Sequence, residues 1–433
     1  MKLSRKTYMP KSKIYIIIQA IIASFGTYFC MYAFRKPFTV ATFEGFSYWG
    51  VDYKILLIIS QVLGYMLSKF IGIKVISEMK QERRGIFLIG LIIVAELALL
   101  LFALTPKPYN IVFMFLNGLP LGMIWGIVFS YLEGRRYTEI FGVALSSSFI
   151  VSSGFVKSTG KFVMDSWHFS ELWMPFITGI LFIVPLLFFT FLLERLPKPD
   201  EEDENLKTKR VPLSKKERKK LFLKFAFPII ILVVFYTALT AFRDLRDNFA
   251  RELWDTLGYQ DSSSIYTTAE IPIAIAVLVI LGLLAFIKNN MKAFLIYHYL
   301  ILFGTIIIGI NTWLFQQQVI SPLVWMVLTG FGLYICYVPF NCIFFDRMIA
   351  TFKIKGNSGF LIYIADSFGY LGSMAVLLYK NFGQSSISWL QFFTYGTYVI
   401  SVIGIIITVI SLFYFIMKYK KNAEVKAYSV QAL

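Results

Sequence analysis

Arg35 and Lys36 interrupt an apolar run, "IIIQAIIASFGTYFCMYAFRKPF", that is otherwise suited to hydrocarbon. An arginine near a bilayer centre costs roughly 2.5–3.5 kcal/mol on insertion scales, so it persists there only with a partner or a use. Two uses are open: the side chains reach headgroups where a helix leaves the lipid, or they hold an anion inside the membrane. The second use needs matching charge elsewhere. The sequence offers it in "TAFRDLRDNF", which repeats the Ala-Phe-Arg of "YAFRKPF" and puts Arg243 in a place matching Arg35. Guanidinium forks pair bidentately with phosphate, and those bonds strengthen in a poorly solvated cavity. Two arginines facing each other across a pseudo-twofold axis make a site for a divalent, multi-oxygen anion. Lys36, beside Pro37, fits the headgroup-reaching role.

The elements that carry these residues are membrane spans. The 433-residue chain is 58% hydrophobic and only 15% charged, more apolar surface than a soluble core absorbs. Runs of roughly 20 apolar residues, enough to cross the hydrocarbon, are expected near 14–43, 53–76, 86–104, 110–133, 139–163, 172–194, 223–250, 264–287, 292–315, 321–346, 357–380 and 388–418. If the first span runs to Phe43, Arg35 lies inside its helix. That segment is too long for a signal peptide and shows no small-residue cleavage site. The net charge of +17 is not a nucleic-acid footprint, because it concentrates in alternate loops. Lys2, Arg5, Lys6, Lys11 and Lys13 begin the series, and Lys74, Lys80, Arg83, Arg84, Arg135 and Arg136 continue it. The connector 195–224, Lys288 and Lys292, the stretch Arg347–Lys355 and the tail Lys418–Lys426 complete it. Intervening loops hold only Lys54, Lys107, Arg246, Arg251 and Lys380. The positive-inside rule then puts both termini and the connector in the cytoplasm.

One polar stretch, "ERLPKPDEEDENLKTKRVPLSKKERKK", divides the chain into an N-terminal six-helix bundle (1–194), a cytoplasmic linker (195–222) and a C-terminal six-helix bundle (223–433). The halves echo each other beyond the arginines. "NGLPLGMIWG" in the fourth span answers "TGFGLYICYVPF" in the tenth, and "SSSFIVSSGFVKSTG" in the fifth answers "IADSFGYLGSM" in the eleventh. Internal repeats of this kind place a transport site near the midplane, where the repeats meet.

Three acids lie in or near spans: Glu96, Glu270 and Asp366. An ionised carboxylate in hydrocarbon must pair with a cation, face a cavity or stay protonated. Asp366, aligned with Ser153 across the repeat, is the first candidate for a cavity-facing, proton-coupling acid, and Glu270 the second. Glu96, in a peripheral third span, reads as structural. Cys30, Cys336 and Cys342 lie within spans as packing residues, and His168 and His298 lack companions at metal-ligand spacing. His298 reads as a packing histidine. No nucleophile–base–orienter set or P-loop occurs, so an enzyme is not expected, nor is a cofactor.

The chain resembles the major facilitator superfamily, and within it the organophosphate:phosphate antiporter branch of glycerol-3-phosphate and hexose-phosphate carriers. The likeness rests on Arg-Lys-x-Phe at 35–38 with Tyr28 and Tyr32 before it, and on "SKF" at 68–70 with Tyr65 four residues before Lys69. "YTTAEIP" in the eighth span and "FGYLG" at 368–372 add to it. The resemblance implies an all-α fold of about twelve helices in two pseudo-symmetric six-helix bundles that rock about a central site, usually as a monomer in the inner membrane. It implies that Arg35 and Arg243 grip a phosphoryl group, that Lys69 adds positive field, and that Tyr28, Tyr32, Tyr65, Tyr334 and Tyr370 line the cavity. Where the branch has a fifth-span histidine, this chain has Ser153 and its neighbours. Lys157 is placed to substitute as a cavity cation, with Lys161 reaching only the interface. Glu78 with Arg83 and Arg84 stands where the superfamily keeps gating ion pairs. Asp244 either neutralises Arg243 or faces the outer loop.

The expectation is therefore a secondary active transporter of a small anion, with organophosphate or phosphate antiport leading. Two alternatives are proton-coupled transport of another organic anion or sugar derivative, and a transporter-like ligand sensor.

Overall fold

The computed structural model describes residues 11–79, 81–133, 135, 137–197, 215–353, 359–384 and 386–431. The expected cations Lys2, Arg5, Lys6, Lys80, Arg136 and Lys355 lie outside the described residues, as do most of the linker and the side chain of Glu78. Eleven of the described helices are long and apolar enough to cross a membrane. Their outward faces carry bare apolar side chains such as Val184, Leu283 and Phe303, as a lipid solvent permits.

The N-terminal half comprises α1 (Lys11–Met31), α2 (Tyr53–Glu78), α3 (Arg84–Leu104), α4 (Ile111–Leu121), α5 (Ile124–Leu132), α6 (Thr138–Asp165) and α7 (Met174–Glu194). A two-stranded hairpin, β1 (Ser47–Tyr48) with β2 (Val51–Asp52), links α1 to α2. The C-terminal half comprises α8 (Lys215–Asn248), α9 (Ala250–Thr256), α10 (Ile265–Ala285), α11 (Asn290–Gln316), α12 (Pro322–Cys342), α13 (Phe344–Thr351), α14 (Gly359–Leu378) and α15 (Trp389–Gln431). The last eight residues expected in the linker, 215–222, already belong to α8.

The first span is not one helix to Phe43. Regular α-helix stops at Met31, and Tyr32–Phe34 and Pro37–Val40 form separate 3₁₀ turns. Pro37 has no N–H to give the Ala33 carbonyl and disfavours a helical residue before it. The backbone N–H groups of Arg35 and Lys36 both donate to the Tyr32 carbonyl, at 3.0 and 2.9 Å, tightening the chain into the break. Arg35 therefore sits in a break, not within a helix. The fourth span is similarly divided into α4 and α5, after Pro120.

Within each half the helices approach through small residues. A Cβ on Gly64 of α2 would lie 2.2 Å from the Phe115 carbonyl oxygen of α4, and one on Gly118 equally close to that of Gln61. The halves meet where α6 packs along α10, with α2 against α14 and α6 against α12. At Gly154 of α6 a Cβ would fall 2.4 Å from the Tyr266 carbonyl oxygen, so α6 and α10 touch at backbone distance. This seam frames the space between the halves.

Candidate functional site

That space is a cavity of about 440 Å³ lined by both halves. Its faces come from helical repeats of polar residues. Tyr28, Tyr32 and Arg35 descend from α1 through the break, Tyr65 and Lys69 stand one turn apart on α2, and Ser146, Phe149 and Ser153 share a face of α6. From the other half come Arg243, Asp244 and Asp247 of α8, Tyr334, Tyr337 and Asn341 of α12, and Asp366 and Tyr370 of α14. One end is closed by buried Arg35 and Lys36 with half-buried Asp247; the other reaches partly exposed Arg84 and Asp346 and exposed Glu133.

Arg35, in the break after α1, and Arg243, within α8, are held by similar ring contacts. The Arg35 guanidinium carbon lies 3.8 Å from the Tyr65 ring centroid, and that of Arg243 lies 4.0 Å from Tyr337. Flat guanidinium on ring fixes each fork while leaving its edge donors available. Arg243 is paired with Asp244 at 2.7 Å, so Asp244 does neutralise it. Arg35 has no carboxylate partner among the described residues, and its Nε is buried without a hydrogen-bond acceptor. Its exposure is only 7%.

Lys36 corrects the headgroup reading. It is 3% exposed and points between the halves, donating to Asn248 Oδ1 at 2.8 Å and pairing with Asp247. Lys157, unlike Lys36, is not part of the cavity wall. It pairs with the same Asp247 carboxylate and donates to the Asp247 carbonyl at 2.6 Å, while Ser153 donates to the carboxylate as well. One carboxylate thus ties the break after α1, α6 and α8 together at the closed end, and Lys54, expected in a loop, adds a bridge to Glu252 at 2.5 Å. Lys161 is buried beside Asp165 at 3.2 Å and does not lie at the interface in the open. Lys54 and Lys157 follow helix faces that turn toward another helix, Lys161 is buried beside an acid of its own helix, and Lys36 sits in the break, none of which the chain's linear order reveals.

Lys69 of α2 meets Asp366 of α14 at 3.4 Å across the halves, and Asp366 also accepts from Tyr236 at 2.8 Å. Asp366 is thereby a cavity acid with a cation beside it. Glu270 is not a cavity-lining residue; it pairs at 2.5 Å with Arg246, a residue expected in a loop that is buried inside α8. Glu96 is buried with neither oxygen hydrogen-bonded among the described residues, pressed toward Gly179 of α7 and far in sequence from the site. His298 uses both ring nitrogens, Nδ1 with the Phe294 carbonyl at 2.9 Å and Nε2 with Ser411 at 3.1 Å. It packs α11 on α15.

Sequence reasoning did not single out Asp247, Tyr337, Asn341, Ser146 or Trp125 as site residues. The signal was spacing. Asp247 follows Arg243 by one turn, and Tyr334, Tyr337 and Asn341 repeat at i, i+3 and i+7 along one face.

A family model described as a family of unknown function, DUF5690, matches residues 37–418. The chain belongs to the DUF5690 family. No curated protein matches this DUF5690 chain. Among solved structures, it is similar to a D-xylose–proton symporter (TM-score 0.61, 15% identity, 92% of this chain and 97% of that one). It is also similar to a bacterial homologue of the human drug peptide transporters PepT1 and PepT2 (TM-score 0.60, 13% identity, 95% and 99%). A third likeness is to the nucleoside transporter NupG (TM-score 0.57, 13% identity, 92% and 99%). The DUF5690 chain therefore has the all-α major facilitator fold and is a multi-pass membrane protein.

Proposed function

We propose that this protein is a secondary transporter of a small anion, working by alternating access, with an organophosphate or phosphate exchanged by antiport. The observation that carries the reading is Arg35, a buried guanidinium without a carboxylate partner among the described residues, fixed on Tyr65 and turned to a cavity it shares with Arg243. A buried charge left uncompensated is costly, and an anion entering the cavity offsets that cost. Away from the mouth, where Arg84 stands with Glu133 and Asp346, the cations Arg35, Lys36, Lys69, Lys157, Arg243 and Arg246 face Asp244, Asp247, Asp366 and Glu270, which leaves two positive charges at and beside the closed end. A divalent phosphate ester matches that excess.

The fold supports motion of one half on the other, since its solved relatives include a proton symporter and peptide and nucleoside transporters. The pairing of Asp366 with Lys69 across the halves favours a second reading, in which Asp366 carries a proton with the anion. In the proposed orientation both termini and the cavity mouth face the cytoplasm across the inner membrane, and the protein works as a monomer.

The test is uptake of labelled inorganic phosphate into phosphate-loaded proteoliposomes. Exchange by the wild type, lost in Arg35→Ala and Arg243→Ala, supports antiport. Uptake driven only by an imposed pH gradient moves the assignment to the proton-coupled reading. A properly reconstituted protein that neither exchanges phosphate nor takes up an anion sinks both.

A further inference from the structure

The cavity is far larger than a phosphoryl group needs, and its N-terminal wall has an order of its own. Starting at the closed end, Arg35 lies 3.8 Å from the Tyr65 ring, and Lys69, one turn further along α2, lies 5.5 Å from the same ring. Lys69 is also 5.7 Å from the Trp125 ring of α5. Trp125 stacks on Phe129 with centroids 5.0 Å apart and planes within 7° of parallel. Arg84, which donates to the Ser130 carbonyl at 3.0 Å, stands at the mouth just beyond. Cation, ring, cation, ring pair, cation: the wall alternates charge with flat apolar surface from the sealed end to the opening.

Such alternation binds ligands that themselves alternate an anion with a planar ring. Proteins that hold single-stranded nucleic acid use the same pairing of cationic groove and stacking aromatics. Two further groups lining the cavity lack partners among the described residues: the Ser146 hydroxyl and the Asn341 amide N–H. They are free to hydrogen-bond the edge of a ring bearing heteroatoms.

We infer that the mouth-ward half of the cavity, at Trp125 and Phe129, is a ring-binding subsite, and that the transported anion is a phosphate ester carrying a planar aromatic ring. The inference rests on the anion reading above, with the phosphoryl group at Arg35. Trp125 and Phe129 would stack the ring, and Lys69 would stand between ring and phosphate.

The experiment is thermal stabilisation of the purified full-length protein by inorganic phosphate, glycerol 3-phosphate, glucose 6-phosphate, phenyl phosphate and adenosine monophosphate. All five are expected to stabilise, with the two ring-bearing esters half-saturating at concentrations about tenfold lower than the other three. Trp125→Leu should erase that advantage and leave inorganic phosphate unaffected, and Phe129→Leu, a milder change, should reduce it. Equal potency of the ring-bearing and non-aromatic esters would overturn the subsite while leaving the anion reading intact. So would an advantage shared by glucose 6-phosphate, or one that survives both substitutions. Absence of stabilisation by any of the five would overturn both.

Discussion

Arg35 and Arg243 lie one in each half, Arg35 in the break after α1 and Arg243 within α8, each laid on a tyrosine at about the same distance, yet the residue after each differs in sign. Arg243 is followed by Asp244, which pairs with it at 2.7 Å and accepts a further bond from Ser373 at 2.8 Å. Arg35 is followed by Lys36, which turns away to Asp247. Both arginines thus keep the same kind of ring contact while one neighbouring side chain decides which of them is electrostatically satisfied. The satisfied arginine is part of the architecture; the unsatisfied one is available.

The contrast is sharpest when each arginine is removed. Arg35→Ala should lower phosphate exchange more than 100-fold and leave the melting temperature unchanged or higher, since no buried carboxylate loses its partner. Arg243→Ala should also lose exchange, and in addition destabilise the protein. It leaves Asp244 buried and unpaired, a change that costs about 3–5 kcal/mol in comparable buried pairs. Equal melting temperatures for the two variants would break the comparison.

Asp244→Asn refines it. The amide keeps a hydrogen bond to its surroundings while freeing the charge of Arg243, so phosphate affinity measured by thermal stabilisation should tighten by about three- to tenfold. Unchanged or weaker affinity would show that Asp244 does not set the field of Arg243. The smallest effect belongs to His298, remote from both arginines. His298→Gln should leave exchange and its pH profile within about twofold, with a stability loss of about 1 kcal/mol for each hydrogen bond not rebuilt. A shifted pH profile would return His298 to the transport path.

Much of this arrangement was legible in the chain. Hydrophobic runs located the spans, and the doubled Ala-Phe-Arg paired the two arginines. Tyr28, Tyr32, Tyr65, Tyr334 and Tyr370 do line one cavity. What the chain concealed was partnership. Lys36 looked like a helix-end residue because Pro37 marks a break, and it does mark one, but the break lies inside the protein and its lysine reaches a carboxylate over two hundred residues away. Lys157 and Glu270 belong to the right region and to buried pairs beside the cavity, a distinction made by helix rotation that spacing along one helix does not fix.

The contact at Gly154 has a mechanical consequence. Where α6 rests on the Tyr266 carbonyl of α10, with the Glu270 methylenes alongside, the two helices meet at backbone distance, so in the proposed motion one half would turn on the other about that line as a wheel turns on its axle. Groups beside the line sweep a short arc and groups far from it a long one. A bulky residue at position 154, which lies outside the cavity lining, would then seize that bearing without touching the site.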